Sequence, residues 1–202
     1  MPELARIALV NNSDRDIIIR EISQITDMGM NGTISFRESL TRRVKLLSAN
    51  RFDILHLVKM LKKQVSLSVL RHKDFFLENS ESIYIITGGF REFVLPIVSE
   101  YGIVDSHILA NSFRYDKHGE IIGFDTNNLL TDAYGKAKVV EKLHLGNDVY
   151  IIGDGMTDYE IKEKGYASKF IAFIENIDRP LVRAKADFVA RNFDEIIAKY
   201  AS

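Results

Sequence analysis

The chain has 202 residues, 46% of them apolar, enough to bury a real core and form one domain with a smaller appendage. Its 27 basic and 28 acidic residues are evenly mixed and leave a net charge of −1, so no basic stripe points to nucleic acid or to a membrane surface. The absence of cysteine removes disulfides, thiolate metal sites and thiol redox chemistry; no apolar run reaches the ~18 residues of a membrane span and no signal segment opens the chain, so the expected compartment is the cytoplasm.

In chain order, the periodicity changes character near Ser80. Before it, apolar residues three or four apart predict helices over Leu4 to Leu9, Asp14 to Met28, Ser35 to Leu47, Phe52 to Lys63 and Ser66 to Glu78. After it, short apolar runs alternate with helical patterns: "IYII" then Phe90 to Tyr101, "VYIIG" then Tyr159 to Lys164, "FIAFI" then Arg179 to Lys185, "DFVA" then Phe193 to Tyr200. That alternation predicts an α/β fold, a parallel sheet with helices on both faces. The stretch "HILANSFRYDKHGEIIGFD" reads as two strands joined by a turn at Lys117, His118 and Gly119. The expected organisation is a helical unit over 1–79 and an α/β core over 80–202, with a β-ribbon at about 107–125.

In such a sheet, chemistry collects where strands end and helices begin. At "IYIITGGF" a strand delivers Thr87, Gly88 and Gly89, either a tight turn or a set of backbone N–H groups and a hydroxyl open to an anion. At "VYIIGDGMTDYE" Asp154 and Asp158 bracket Gly155, which reads as an Asp-Gly turn with a capping acid or as carboxylates for Mg²⁺, a cation that takes oxygen ligands and bridges to phosphate. Lys136 opens the helix "GKAKVVEKLHL", as a solvated surface group or as an ammonium directed at the same phosphate.

Together, in this order and spacing, these pieces resemble the phosphoserine phosphatase branch of the haloacid dehalogenase superfamily. "IITGGF" is similar to its second motif, Lys136 to the lysine of its third, and "IIGDGMTDYEI" to its fourth. "GMNGTISFRESLTRRVKLL" is similar to the cap helices of these phosphatases. The resemblance implies a Rossmann-like parallel sheet with an N-terminal helical cap. It also implies roles: Thr87, Gly88 and Lys136 on the phosphate, Asp154 as Mg²⁺ ligand with Asp158 as its supporting acid, Arg43 on the substrate carboxylate and Phe36 closing the cap. Thr157 stands where these phosphatases usually carry an asparagine on the substrate.

The family's first motif, Asp-x-Asp-x-Thr or Val, carries the nucleophile and the general acid/base at the end of the central strand. A phosphate monoester is anionic, and only a positioned carboxylate, its repulsion cancelled by Mg²⁺ and lysine, attacks it. "NNSDRD" has the two acids, Asp14 and Asp16, but Ile18 follows where Thr or Val is expected, and Asp14 lies only 15 residues before Gly29. The simpler reading is a helix start with Ser13 as N-cap, Asp16 completing a capping box, and Ile17, Ile18, Ile22 and Ile25 on the apolar face. The nucleophile motif, its central strand and the cap glutamate for the substrate amine are therefore expected upstream of Met1, and the exposed sheet edges are expected to favour self-association.

What the resemblance implies is a Mg²⁺-dependent phosphomonoesterase of serine biosynthesis, converting O-phospho-L-serine to L-serine and phosphate through an aspartyl-phosphate. The alternative is a truncated or non-catalytic relative that binds a phospho-ligand or a partner. A dinucleotide-binding domain is disfavoured because "TGGFRE" and "GDGMTD" lack the third glycine, and no two of the five histidines stand at i, i+4 for zinc.

Overall fold

The structure, a computed structural model, describes residues 1–30, 33–146 and 148–200. Asn31 and Gly32, within the "GMNGTISF" stretch, lie outside the described residues. The chain forms two compact units, each assembled from two separate segments: Met1–Gln64 with Tyr84–Ala133, and Val65–Ile83 with Tyr134–Ser202.

The first unit begins with four helices, α1 (Pro2–Ala8), α2 (Arg15–Met30), α3 (Phe36–Leu46) and α4 (Arg51–Leu61). Their starts follow from local chemistry. Pro2 opens α1, where a missing N–H costs nothing; the Ser35 hydroxyl accepts from Glu38 N–H to cap α3. Asn50 and Asp53 exchange side-chain-to-backbone bonds in a capping box that starts α4. At α2 it is the Asn12 side chain, rather than Ser13, that accepts from the Asp14 N–H, at 2.8 Å, so the helix starts one residue later than its sequence suggests. Ile19, Ile22 and Ile25 make the buried face of α2, whereas Ile17, expected on that face, is 58% exposed and Ile18 is half-buried. α2 and α3 cross closely: a Cβ on Gly29 would lie 2.7 Å from the Ser39 side chain, whose hydroxyl donates to the Ile25 carbonyl at 2.9 Å.

Strand β1 (Ile85–Phe90) runs through the whole "IITGGF" stretch, feeds α7 (Arg91–Val98) and pairs in parallel with β2 (Ile108–Asn111). Only the later part of the expected ribbon forms a hairpin, β3 (Phe113–Tyr115) antiparallel to β4 (Ile121–Phe124). Ile108–Asn111 was expected in the ribbon and instead joins the parallel pair, because Ile108, Ala110 and Asn111 are buried, as a covered parallel strand requires. Phe90 of β1 stacks on Phe113 with ring centroids 3.6 Å apart, and Leu4, Ile22, Leu40 and Leu47 close the same core at 0–1% exposure.

In the second unit the expected helix over Ser66 to Glu78 divides at His72 into α5 (Leu67–Arg71) and α6 (Lys73–Glu78). The sheet is β5 (Tyr150–Gly153), β6 (Lys169–Phe173) and β7 (Phe188–Ala190), all parallel with β6 central. α8 (Gly135–Leu143), α9 (Met156–Glu163), α10 (Pro180–Arg183) and α11 (Phe193–Tyr200) alternate with these strands. β6 is covered on both faces: Phe170 and Ala172 pack with Val182 on one side, and Ile171 packs with Ala190, Phe193 and Ile196 on the other. This is the α/β architecture the sequence predicts. Its parallel strands fall into a two-stranded and a three-stranded set. No helix among the described residues is long and apolar enough to cross a membrane.

Candidate functional site

The sequence-predicted residues divide between the units: Phe36, Arg43, Thr87 and Gly88 in the first, Lys136, Asp154, Thr157 and Asp158 in the second.

In the first unit a cavity of about 310 Å³ is lined by Phe36, Leu40, Arg43, Gly88, Gly89 and Phe93, among others. α3 carries Phe36 and Arg43 on one face, seven residues or two turns apart. The Phe36 ring lies so close to the backbone that a Cβ on Gly88 would sit 2.9 Å from its Cζ, so glycine is what lets ring and strand meet. Arg43 is 7% exposed. Its Nε donates to the Ser39 carbonyl at 3.2 Å, and no carboxylate among the described residues pairs with it. Burial alone lowers its pKa to about 10, the signature of a cation desolvated without compensation. Such a group calls for an anion. Beside it, Gly89 N–H donates to Thr87 Oγ1 at 3.0 Å, and the hydroxyl proton has no acceptor among the described residues. Arg37, one residue after Phe36, fixes the start of α3: it donates to the Thr126 carbonyl at 2.7 Å and pairs with Asp132.

In the second unit Asp158 holds the β5–α9 turn together. One oxygen accepts from Lys136 Nζ at 2.6 Å, the other from the Gly155 N–H at 3.1 Å. The pair is well covered, with side-chain exposures of 20% and 11%. Asp158 therefore does cap α9, as the plain reading of the sequence has it, and it also orients the lysine. Asp154 stands at the end of β5 with its carboxylate about half exposed, lining a cleft of about 300 Å³ with Ile152, Phe173, Asn176 and Ile177. Arg179 grips it, reaching both its carboxylate and its backbone carbonyl. Thr157 is exposed in the first turn of α9.

The resemblance implies a magnesium ion. Asp154 fits as one ligand: it is an accessible carboxylate at a strand end, and a guanidinium already occupies the cationic place beside it. Asp158 has both oxygens engaged, and no group of three His, Asp or Glu among the described residues is clustered to hold a metal. Were the ion bound, Asp154 would be the carboxylate among the described residues placed to hold it.

Two residues at these sites escape the sequence reading. Asn111 is buried at 0% exposure and donates to the Gly88 carbonyl; the signal was a polar residue closing the apolar run "HILAN". Arg179, on Asp154, is separated from it by 25 residues and precedes a proline, with nothing local to mark it.

No protein-family profile matches the chain. A crystal structure of a phosphoserine phosphohydrolase-like protein from Francisella tularensis superposes with a TM-score of 0.77 at 30% identity, covering 98% of this chain and 91% of that one. The chloroplastic phosphoserine phosphatase of Arabidopsis thaliana is 29% identical over 88% of this chain, and the human phosphoserine phosphatase 28% identical over 98%. The chain spans 61% of the length of the Arabidopsis protein and 84% of the human one. A hydrolase of the haloacid dehalogenase family from Salmonella enterica shares the fold, with a TM-score of 0.68 at 19% identity. The chain belongs to the haloacid dehalogenase superfamily, in its phosphoserine phosphatase-like branch.

Proposed function

We propose that this chain recognises O-phospho-L-serine as a member of the phosphoserine phosphatase type, whose reaction gives L-serine and phosphate in serine biosynthesis. The single observation that carries the reading is the buried, unpaired Arg43 in a cavity it shares with Gly88 and Gly89. A desolvated guanidinium supplies a forked, two-bond grip for a carboxylate. Thr87 and the Gly88 region take the phosphoryl oxygens, Lys136 adds positive charge, and Phe36 closes over the ligand. Asp154 is the residue that holds Mg²⁺, which when bound cancels phosphate charge. Asp158 keeps Lys136 in place, and Thr157 is offered to the substrate from α9.

Turnover in this branch runs through an aspartyl-phosphate. Asp14 and Asp16 are exposed at the start of α2, and no Asp-x-Asp pair among the described residues stands at a strand end. That observation favours a second reading for these 202 residues taken alone: they bind the phosphomonoester without hydrolysing it, since loss of a covalent nucleophile costs on the order of 10⁴–10⁶ in rate.

The test is calorimetric titration with phosphoserine and with phosphoethanolamine, which lacks the carboxylate. Phosphoserine is expected to bind at least tenfold more tightly, and Arg43→Met to erase the difference. Equal binding of the two by the unaltered chain refutes the recognition proposal. Phosphate release above background, abolished by Thr87→Ala or Asp154→Asn, refutes the non-catalytic reading.

A further inference from the structure

Asn111 is fully buried at the end of β2, yet only half of its amide is satisfied. Nδ2 donates to the Gly88 carbonyl at 2.9 Å, while Oδ1 has no partner. A buried orphan acceptor is costly, and a leucine of similar size at this position would avoid it. What the asparagine alone supplies is the donor to Gly88.

That donor acts on a peptide group with two ends. The Gly88 carbonyl and the Gly89 N–H belong to one planar unit and point in opposite directions, so fixing the carbonyl fixes the N–H. The Gly89 N–H donates to Thr87 Oγ1 at 3.0 Å. A hydroxyl oxygen that accepts there turns its own proton elsewhere, and the hydrogen bond it then donates is strengthened by the one it receives. The chain of effects runs from the Asn111 amide through the Gly88–Gly89 peptide to the Thr87 proton. Glycine at both positions leaves this peptide free to flip, which is why it needs an external hold.

We propose that Asn111 is a positioning residue for anion binding: by clamping the Gly88–Gly89 peptide it directs the Thr87 hydroxyl proton toward a phosphoryl oxygen. This rests on the reading of Thr87 as a phosphate ligand, and the experiment separates the two ideas. The ¹⁵N-labelled 202-residue chain and its Asn111→Leu variant are compared by the Gly89 amide cross-peak, then titrated with inorganic phosphate. Asn111→Leu is expected to shift the Gly89 resonance, speed its exchange with solvent and weaken phosphate about tenfold. In combination with Thr87→Val it is expected to add nothing further, because the clamp acts only through that hydroxyl. Asn111→Asp at pH 5, where a buried carboxyl is protonated and again a donor, is expected to restore the native Gly89 resonance, and it serves in place of the leucine variant if that one does not fold. An unmoved Gly89 resonance in Asn111→Leu, or phosphate losses that add in the double variant, overturns the proposal. If the unaltered chain binds no phosphate, the phosphate-ligand role of Thr87 fails and this proposal with it, whereas binding with an unmoved Gly89 resonance defeats the clamp alone.

Discussion

Gly153→Ala is expected to dismantle the β5–α9 turn. A Cβ on Gly153 would sit 2.3 Å from Asp158 Cγ, 2.4 Å from its Oδ2 and 2.6 Å from its Cβ, separations real structures do not tolerate. The last contact is at the root of the side chain, so rotation cannot relieve it and the start of α9 has to move. Two hydrogen bonds go with it, from Lys136 Nζ at 2.6 Å and from Gly155 N–H at 3.1 Å. The first, charged and shielded from solvent, is worth ~1.5–3 kcal/mol, and the second, as a helix-start bond, about 1 kcal/mol. Against these, replacing glycine returns ~0.4–1 kcal/mol through the unfolded chain. The net loss is about 1.5–3.6 kcal/mol, or roughly 3–14 °C in Tm for a chain of this size. Calorimetric melting of Gly153→Ala, with and without Asp158→Gly, provides the check, because the second substitution removes all three clashing atoms. Gly153→Ala should then cost almost nothing in the Asp158→Gly background. Equal costs in both backgrounds would refute the steric account.

Arg43→Met should raise stability on the order of 1 kcal/mol while abolishing preference for a carboxylate-bearing ligand, because it removes an unpaired buried charge and keeps the shape; a fall in Tm by urea or thermal melting contradicts the desolvation argument. Glu92, at the start of α7, has its carboxyl pKa raised, chiefly by burial, with one oxygen accepting from Phe113 N–H at 2.7 Å and the other unpartnered. A folded-state pKa above the unfolded one means the folded chain holds the extra proton, so the stability from Glu92 is full below its ordinary value of 4.5 and is lost as pH rises through the raised one. Glu92→Gln should flatten the melting temperature against pH across that window and be the more stable form at pH 7; an unchanged profile refutes it.

The α/β half was legible because its strands are short apolar runs, with Pro180 opening α10 and Asn192 capping α11. α11 matches its expected span, and β5 and β6 differ by a residue or so. The sequence was less informative where tertiary partners decide. The split at His72 has no glycine or proline to announce it; its ring nitrogen contacts Asp194, more than a hundred residues on. Ile108–Asn111 carries the same β signal for a ribbon as for a parallel strand, and only burial on both faces distinguishes them. The family resemblance alone proposed Arg43, and the Asp-Gly pattern after an apolar run drew attention to Asp158. Their electrostatic states, one cation unpaired and one carboxylate saturated, come from packing that no local pattern encodes.

The interleaving of the two units sets an order of assembly during synthesis. The first unit has all its parts once residue 133 has left the ribosome, but by then it already contains Val65–Ile83 as an excursion that belongs to the other unit. That excursion waits for residues 175 to 193. Ser68 is buried, its hydroxyl accepting from Phe193 N–H at 2.8 Å and donating to Glu175, while Asn176 binds Ser66. A nascent chain therefore presents α5 and α6 without these partners until Phe193 has emerged. A protease cut near residue 133 would not free a self-contained C-terminal piece, because the 65–83 segment would stay behind on the other fragment.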